Sequence, residues 1–187
     1  MTRINQKIFE KIATDLLIKT INRVENKKIE FFRYGNEGVE TDVIYHSKLE
    51  IIGIEVFGHY QNVKKGNKLI PIKLSKNSYS KGSDIVEFLT IQVNKKITKK
   101  YKLENKWLVC VNRFPAVTPQ DFEQIFLLNY HNGWGSFKRV FIIFDKHLST
   151  VNKSDFFEIY EINKKYSKLK FIGEEKIARD NKGIIQL

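Results

Sequence analysis

The chain of 187 residues carries a single cysteine, Cys110, with three prolines and ten glycines. One cysteine closes no internal disulfide and builds no cysteine-based zinc site, which excludes disulfide-stapled secreted domains and zinc fingers and points to the reducing cytoplasm. The scarcity of proline and glycine excludes collagen-like and low-complexity chains. No window approaches the roughly 18 consecutive apolar residues of a membrane span, and the opening MTRINQKIFE has no signal-peptide hydrophobic region. A soluble cytoplasmic protein with no membrane partner is therefore expected. The phosphate-binding loop GxxxxGKS/T, the dinucleotide fingerprint GxGxxG after a strand and the nucleophile elbow GxSxG are all missing, so those chemistries lack their signatures.

Acidic residues are also in short supply. Against 33 Lys and Arg stand 21 Asp and Glu, a net charge of +12, and the natural partner of such a surface is a polyanion. The surplus is uneven: between Gly58 and Cys110 twelve lysines face three acids, a local excess of nine. Lysine is a common surface residue, but this clustering favours a nucleic-acid face, with Lys64, Lys65, Lys68, Lys95, Lys99 and Lys100 as candidate phosphate contacts.

What remains is an ordinary globular composition, 42% apolar and 29% charged, long enough for one domain with its own core. A helix is predicted over Ile4 to Val24, with Ile4, Ile8, Ile12 and Leu16 at spacing four beside Phe9, Ala13 and Leu17. Strands are predicted at Ile29–Tyr34, Thr41–His46 and Leu49–Phe57, the last two joined as a hairpin around Ser47-Lys48. Residues 58–82 read as a mobile loop holding one short strand at Leu69–Leu74. A second helix opens at Ser83 or Asp84, with Glu87 completing a capping box, and runs through Ile85, Leu89, Val93 and Ile97 to about Tyr101. The apolar run Trp107–Asn112 predicts a buried strand, Thr118-Pro119 an N-cap launching a helix to about Tyr130, and Phe137–Phe144 another buried strand. Beyond these, Phe156–Ile162, Lys170–Ile172 and Ile184–Leu187 offer only short strand-like pieces. The order α-β-β-β-α-β, then helix and strand, describes an α/β domain: a central sheet flanked by helices.

Two acids interrupt the hairpin. The period of two puts Asp42, Ile44 and His46 on one face of its first strand and Ile51, Gly53, Glu55 and Phe57 on one face of its second. A carboxylate on a half-buried strand is costly unless it is paired, hydrogen-bonded or bound to a cation. A salt bridge to one of the many lysines is one solution and a divalent metal is another. Mg²⁺ takes one or two protein carboxylates and keeps several waters, and it serves phosphodiester hydrolysis by activating water and neutralising phosphate charge.

Helix one, Thr41-Asp42-Val43-Ile44, Ile52-Gly53-Ile54-Glu55-Val56, the Lys-rich helix and Trp107-Leu108-Val109-Cys110-Val111 together resemble the PD-(D/E)XK nuclease-like superfamily over roughly residues 5 to 145. The resemblance implies a restriction endonuclease-like core with a central mixed β-sheet, a single domain over 1–187 and a C-terminal extension over 146–187. It implies Asp42 and Glu55 as ligands of Mg²⁺ or Mn²⁺, with Thr41 where the family often has proline and Glu10 loosely matching a supporting helix acid. It departs from the family at Phe57, two residues after Glu55, where a lysine usually orients the attacking water. Some members supply that group from the following helix, and here Lys96, next to the apolar stripe, is the first candidate and Lys95 the second, with Gln92 as a polar contact.

The expected function is metal-dependent hydrolysis of DNA, with double-stranded DNA as partner and a homodimer suited to double-strand cleavage. The alternative is a nuclease-like fold without catalysis that binds nucleic acid or protein, which Phe57 makes credible. The histidines His46, His59, His131 and His147 show no zinc spacing; His59 and Tyr60 follow the Glu55 strand closely enough to approach substrate. Cys110, inside an apolar strand, reads as a small core side chain. Phe31, Phe32, Phe141 and Phe144 suit base stacking or, more simply, the core.

Overall fold

The structure is a computed structural model, and it describes residues 3–58, 62–65, 68–71, 91, 93–112, 118–129, 134–146, 154–163, 165 and 168–178. Among these, α1 (Arg3–Glu25) leads into β1 (Glu30–Tyr34), β2 (Val43–His46) and β3 (Ile51–Gly58). A short pair β4 (Asn62–Lys65) and β5 (Lys68–Pro71) follows, then helical residues 91 and 93–97, called α2. The chain continues through β6 (Lys106–Asn112), α3 (Pro119–Asn129), β7 (Phe137–Lys146), β8 (Ser154–Asn163) and β9 (Lys168–Ala178).

Seven strands form one mixed sheet in the order β1-β2-β3-β6-β7-β8-β9. The pairs β3 with β6 and β6 with β7 are parallel, and the flanking pairs are antiparallel. Two parallel neighbours require crossovers, and α2 and α3 supply them. Both crossover helices pack on one face, where Val93, Ile97 and Phe122 meet Phe57, Leu108, Cys110, Val140 and Ile142. The opposite face is covered by α1, whose Ala13, Leu17 and Ile21 meet Val43, Ile52, Ile54, Val109 and Phe141. Strand β6 lies in the middle and is buried along its whole length, which is why Trp107–Asn112 is a continuous apolar run rather than an alternating one.

Local chemistry sets several boundaries. Helix α1 stops at Asn26, which takes a left-handed conformation with φ 50°. Helix α3 starts with a reciprocal cap: the Thr118 amide donates to Asp121 Oδ2 at 2.7 Å and the Asp121 amide donates to Thr118 Oγ1 at 3.3 Å. Gly135, with φ 56°, lets the chain pass so close to the end of α2 that a Cβ there would collide with the Ile97 carbonyl oxygen.

The α1 stripe follows the expected one through Phe9, Ile12, Ala13, Leu16 and Leu17, which pack on the sheet. Ile8 departs from it, half exposed, and the polar Glu10 and Thr14 are buried with Leu17 and Ile21. Residues 62–71 hold a two-stranded hairpin in place of a loop with one strand, with Val63 opposite Ile70. The weak pieces at Phe156–Ile162 and Lys170–Ile172 are parts of a long antiparallel pair that extends the same sheet. The start of the second predicted helix, with Asp84, Ile85, Glu87 and Leu89, and the segment Ile184–Leu187 lie outside the described residues. Among the described residues, no helix is long and apolar enough to cross a membrane.

Candidate active site

The site is built where the chain enters β2 beside β3. Gly35 allows the approach: its amide donates to the Asp42 carbonyl at 3.1 Å, and a Cβ on it would run into the Thr41 carbonyl. Arg33 grips Glu40 through two hydrogen bonds of 2.8 Å, and this contact holds the Glu40 carboxyl down at about 2. The loop 35–41 is thereby anchored to the end of β1, and Asp42 is delivered to a fixed position.

Val43, the first residue of β2, pairs with Ile54, and Asp42 just before it lies beside Glu55 on the face opposite to Val43 and Ile54. Asp42 Oδ2 accepts the Val56 amide at 2.8 Å, which turns the carboxylate toward β3. Two carboxylates thus face each other in a largely dry location. Burial, and then the negative charge of Glu55, push Asp42 up to about 7, with Lys96 and the Val56 amide opposing.

Glu55 is completely buried. Its Oε1 pairs with the Lys96 ammonium, which reaches down from α2, while Lys99 Nζ stands 3.8 Å from the same oxygen. The buried Tyr101 hydroxyl lies by the same carboxylate, and burial, hydrogen bonding to Glu55 and the Glu55 charge raise the phenol well above its ordinary range. Tyr101 lies below Lys99, whose ammonium is 4.9 Å from the ring centroid.

Glu10 joins from α1. It is buried, accepts the Gln6 side-chain amide at 2.8 Å, and is raised by burial, opposed by Gln6 and Lys96 and reinforced by Glu55. Below it, the Tyr45 hydroxyl donates to Asp15 Oδ1 at 2.6 Å and lies 2.8 Å from Thr14 Oγ1.

Of the residues singled out from sequence, Asp42, Glu55 and Lys96 come together, and Glu10 stands near enough for the charges of Lys96 and Glu55 to act on it. Lys95 is exposed and takes part in none of the ion pairs among the described residues, and Lys100 is likewise exposed. Lys99 reaches the rim of the site. Lys64, Lys65 and Lys68 belong to β4 and β5, of which the backbone alone is described. Gln92, His59 and Tyr60 lie outside the described residues. His46, at the far end of β2, packs edge-on against Phe32 with ring centroids 5.7 Å apart. Cys110 is buried, and burial pushes its thiol up, away from nucleophilic use. Phe141 and Phe144 are core residues, whereas Phe31 and Phe32 are exposed. Tyr101 escaped the sequence reading, since nothing local distinguishes it from a core aromatic at a helix end.

Among the described residues, no group of three or more His, Cys, Asp or Glu side chains is placed to hold a metal ion. The oxygens that a hard divalent cation would take here are those of Asp42 and Glu55, the second of which is already paired with Lys96 and approached by Lys99. No family model matches the chain, and no curated protein matches it.

Proposed function

We propose that the protein is a metal-dependent endodeoxyribonuclease with a restriction endonuclease-like core, hydrolysing phosphodiester bonds at the Asp42–Glu55 pair. The observation that carries this reading is the pair itself: Asp42, tied to β3 by the Val56 amide, beside Glu55, with the Lys96 ammonium on Glu55. Mg²⁺ or Mn²⁺ held by Asp42 and Glu55 would supply Lewis acidity and an activated water. Lys96 takes the part of the lysine absent at Phe57: its long stem crosses apolar surface and brings an ammonium to the buried carboxylate. Glu10 supports the site from α1 as a further negative charge. Lys95 has no role at the carboxylates and belongs with Lys64, Lys65, Lys68, Lys99 and Lys100 among contacts to the phosphate backbone, which fix position without reading sequence.

The test is cleavage of supercoiled and linear DNA by the full chain with Mg²⁺, Mn²⁺ or EDTA, alongside Asp42→Asn and Glu55→Gln. Metal-dependent cutting that both substitutions abolish, with DNA binding retained, is the expected result. A second reading has its own observation: Phe57 leaves β3 without the usual lysine, and Lys96 already neutralises Glu55. On that reading the chain is a catalytically inactive module that binds nucleic acid or protein. Salt-sensitive DNA binding with no cutting under any of these metals would favour it.

A further inference from the structure

The edge strand β1 carries an aromatic side chain that the core does not claim. Phe31 and Phe32 are consecutive, yet their surroundings differ. The Phe31 ring lies beside Tyr34 and Tyr45, with centroids 5.5 and 5.9 Å away, and under the Lys11 ammonium at 4.4 Å, which is itself paired with Asp15. Phe31 is packed on the α1 side. The register between β1 and β2 shifts between Phe31 and Arg33, which makes Phe32 the extra residue of a bulge, and bulges re-aim the side chains they carry. Phe32 meets the His46 ring edge-on with centroids 5.7 Å apart and stays 54% exposed.

His46 follows Tyr45, which faces α1, so His46 points to the other side of the sheet together with Ile44 and Asp42. Ile51 of β3 stands directly across from His46 and is half exposed. Phe32, His46 and Ile51 thus form a row over three strands, on the face that carries the acid pair. Asp42 precedes His46 by four residues, about 13 Å at roughly 3.4 Å per residue. Between them Ile44 is buried, and Thr41 and Leu103 close over Gly53 so tightly that a Cβ there would meet both side chains. The row is therefore a surface of its own, at the far end of the hairpin. The charges around it balance locally: Arg33 is paired with Glu40 and Lys28 with Glu30, and the exposed Lys48 and Glu50 are of opposite sign. What the row offers a ligand is a flat apolar contact rather than a field.

We propose that Phe32, His46 and Ile51 seat unpaired nucleobases of a nucleic-acid strand, a few nucleotides away from a phosphodiester at the acid pair. The inference takes nucleic acid as the partner from the proposed function, and it needs neither a cation nor cleavage. Aromatic side chains stack on the face of any base, so such a contact is tolerant of sequence. The bases of a duplex are already stacked on their neighbours and gain little from it, so the strand that fits is one with unpaired bases. The row spans two strand spacings, about 10 Å, enough for a base or two. Self-association is the other use of an exposed apolar row, and size argues against it. Half of a Phe, where a whole aromatic buries about 150 to 250 Å², and half of an Ile fall far short of the roughly 800 Å² that each partner gives to a stable interface. The bulge also blunts β1 against pairing edge to edge with a second copy. Phe171 of β9 is exposed to the same degree as Phe32. It lies at the opposite edge of the sheet, four strands beyond β3 and roughly 19 Å from it, so it lies outside the reach of the same short strand.

Binding of fluorescein-labelled oligonucleotides to the full chain in EDTA tests this without requiring turnover. The probes are a DNA single strand, the same strand in a duplex, a strand of abasic sites with the same number of phosphates, and the single strand as RNA. The proteins are the wild type, Phe32→Ala, Phe32→Leu, Phe32→Trp and Phe171→Ala, over a series of salt concentrations. The wild type is expected to bind the single strand about 5-fold or more tighter than the abasic strand, the gain of one stacked base. Phe32→Ala and Phe32→Leu lose that preference, Phe32→Trp keeps it, and Phe171→Ala behaves as the wild type. Duplex binding is the same in the wild type and Phe32→Ala. The slope of log affinity against log salt stays the same in every variant, because no phosphate contact has been removed. The preference shown with DNA, RNA or both supports the seat and says which strand it takes. Phe32→Ala indistinguishable from the wild type, or from Phe171→Ala, would overturn the inference. So would a dimer in sedimentation that Phe32→Ala dissolves while nucleic-acid binding is unchanged, which would give the row to a second copy. A chain that prefers bases through Phe32 yet never cuts DNA with Mg²⁺ keeps the seat and removes the nuclease reading. A chain that cuts DNA and shows no preference for bases removes the seat alone.

Discussion

Lys96 on α2 and Glu55 on β3 form an ion pair across forty-one residues of chain, with the carboxylate fully buried and the ammonium only a quarter exposed. The pair joins the crossover helix to the strand that carries the candidate chemistry. It is both part of the site and part of the packing, and its removal should register in both.

Breaking one partner of a buried pair leaves the other charge uncompensated, at a cost of about 3 kcal/mol or more. Lys96→Met is therefore expected to lower stability by roughly that amount. Lys99, 3.8 Å from the same oxygen, moderates the loss. The double variant Lys96→Met with Glu55→Gln should recover much of it, because an uncharged amide is less costly to bury. Urea unfolding of the two single variants and the double variant gives the coupling directly. Additive effects would show that the pair is not a unit.

The Asp42 carboxyl is pushed up to about 7 in the folded chain, from an ordinary value of 3.8. Between those values the folded state holds more protons than the unfolded state, so stability of the metal-free protein falls as pH rises from about 4 to about 7. The loss is of the order of a few kcal/mol. Asp42→Asn removes the titration and should flatten the profile through that window, and Mg²⁺ should offset the loss at neutral pH by favouring the ionised form. Urea midpoints measured at intervals of pH check this. A wild type and an Asp42→Asn variant with parallel profiles would show that another group governs the slope.

Much of this arrangement was legible in the residues because local and global demands agree there. The unbroken run in β6 announces a strand covered on both faces, and Thr118-Pro119 announces the start of α3. Asp42 and Glu55 stand out because acids are out of place in apolar strands, and Lys96 because it borders the stripe of Val93 and Ile97. What stayed hidden depends on partners far away in sequence. Glu175, buried in β9, looks like a surface acid until Lys19, Arg23 and Thr20 of α1 are placed around it. The piece Phe156–Ile162 is most of β8, whereas Lys170–Ile172 is only a part of β9, whose polar, charged sequence hides an eleven-residue strand until it is paired with β8. Tyr101 gains its meaning only when the end of α2 is laid across β3.

Gly135 ties the turn before β7 to the end of α2, and so bears on the site from a distance. Its φ of 56° disfavours any side chain, and a Cβ would meet both the carbonyl and the side chain of Ile97. The carbonyl belongs to the last turn of the helix from which Lys96 and Lys99 extend. Gly135→Ala is expected to destabilise the protein by about 1 to 3 kcal/mol, the strain of a non-glycine residue held at positive φ, with relief available only through displacement of α2. Such a displacement would lift Lys96 from Glu55, so the proposed metal-dependent DNA cleavage should fall although no charge has been altered. Unfolding and cleavage assays on the same preparation separate the effects: loss of both supports α2 as the element that sets Lys96, whereas lost stability with unchanged cleavage would assign Gly135 to the turn alone.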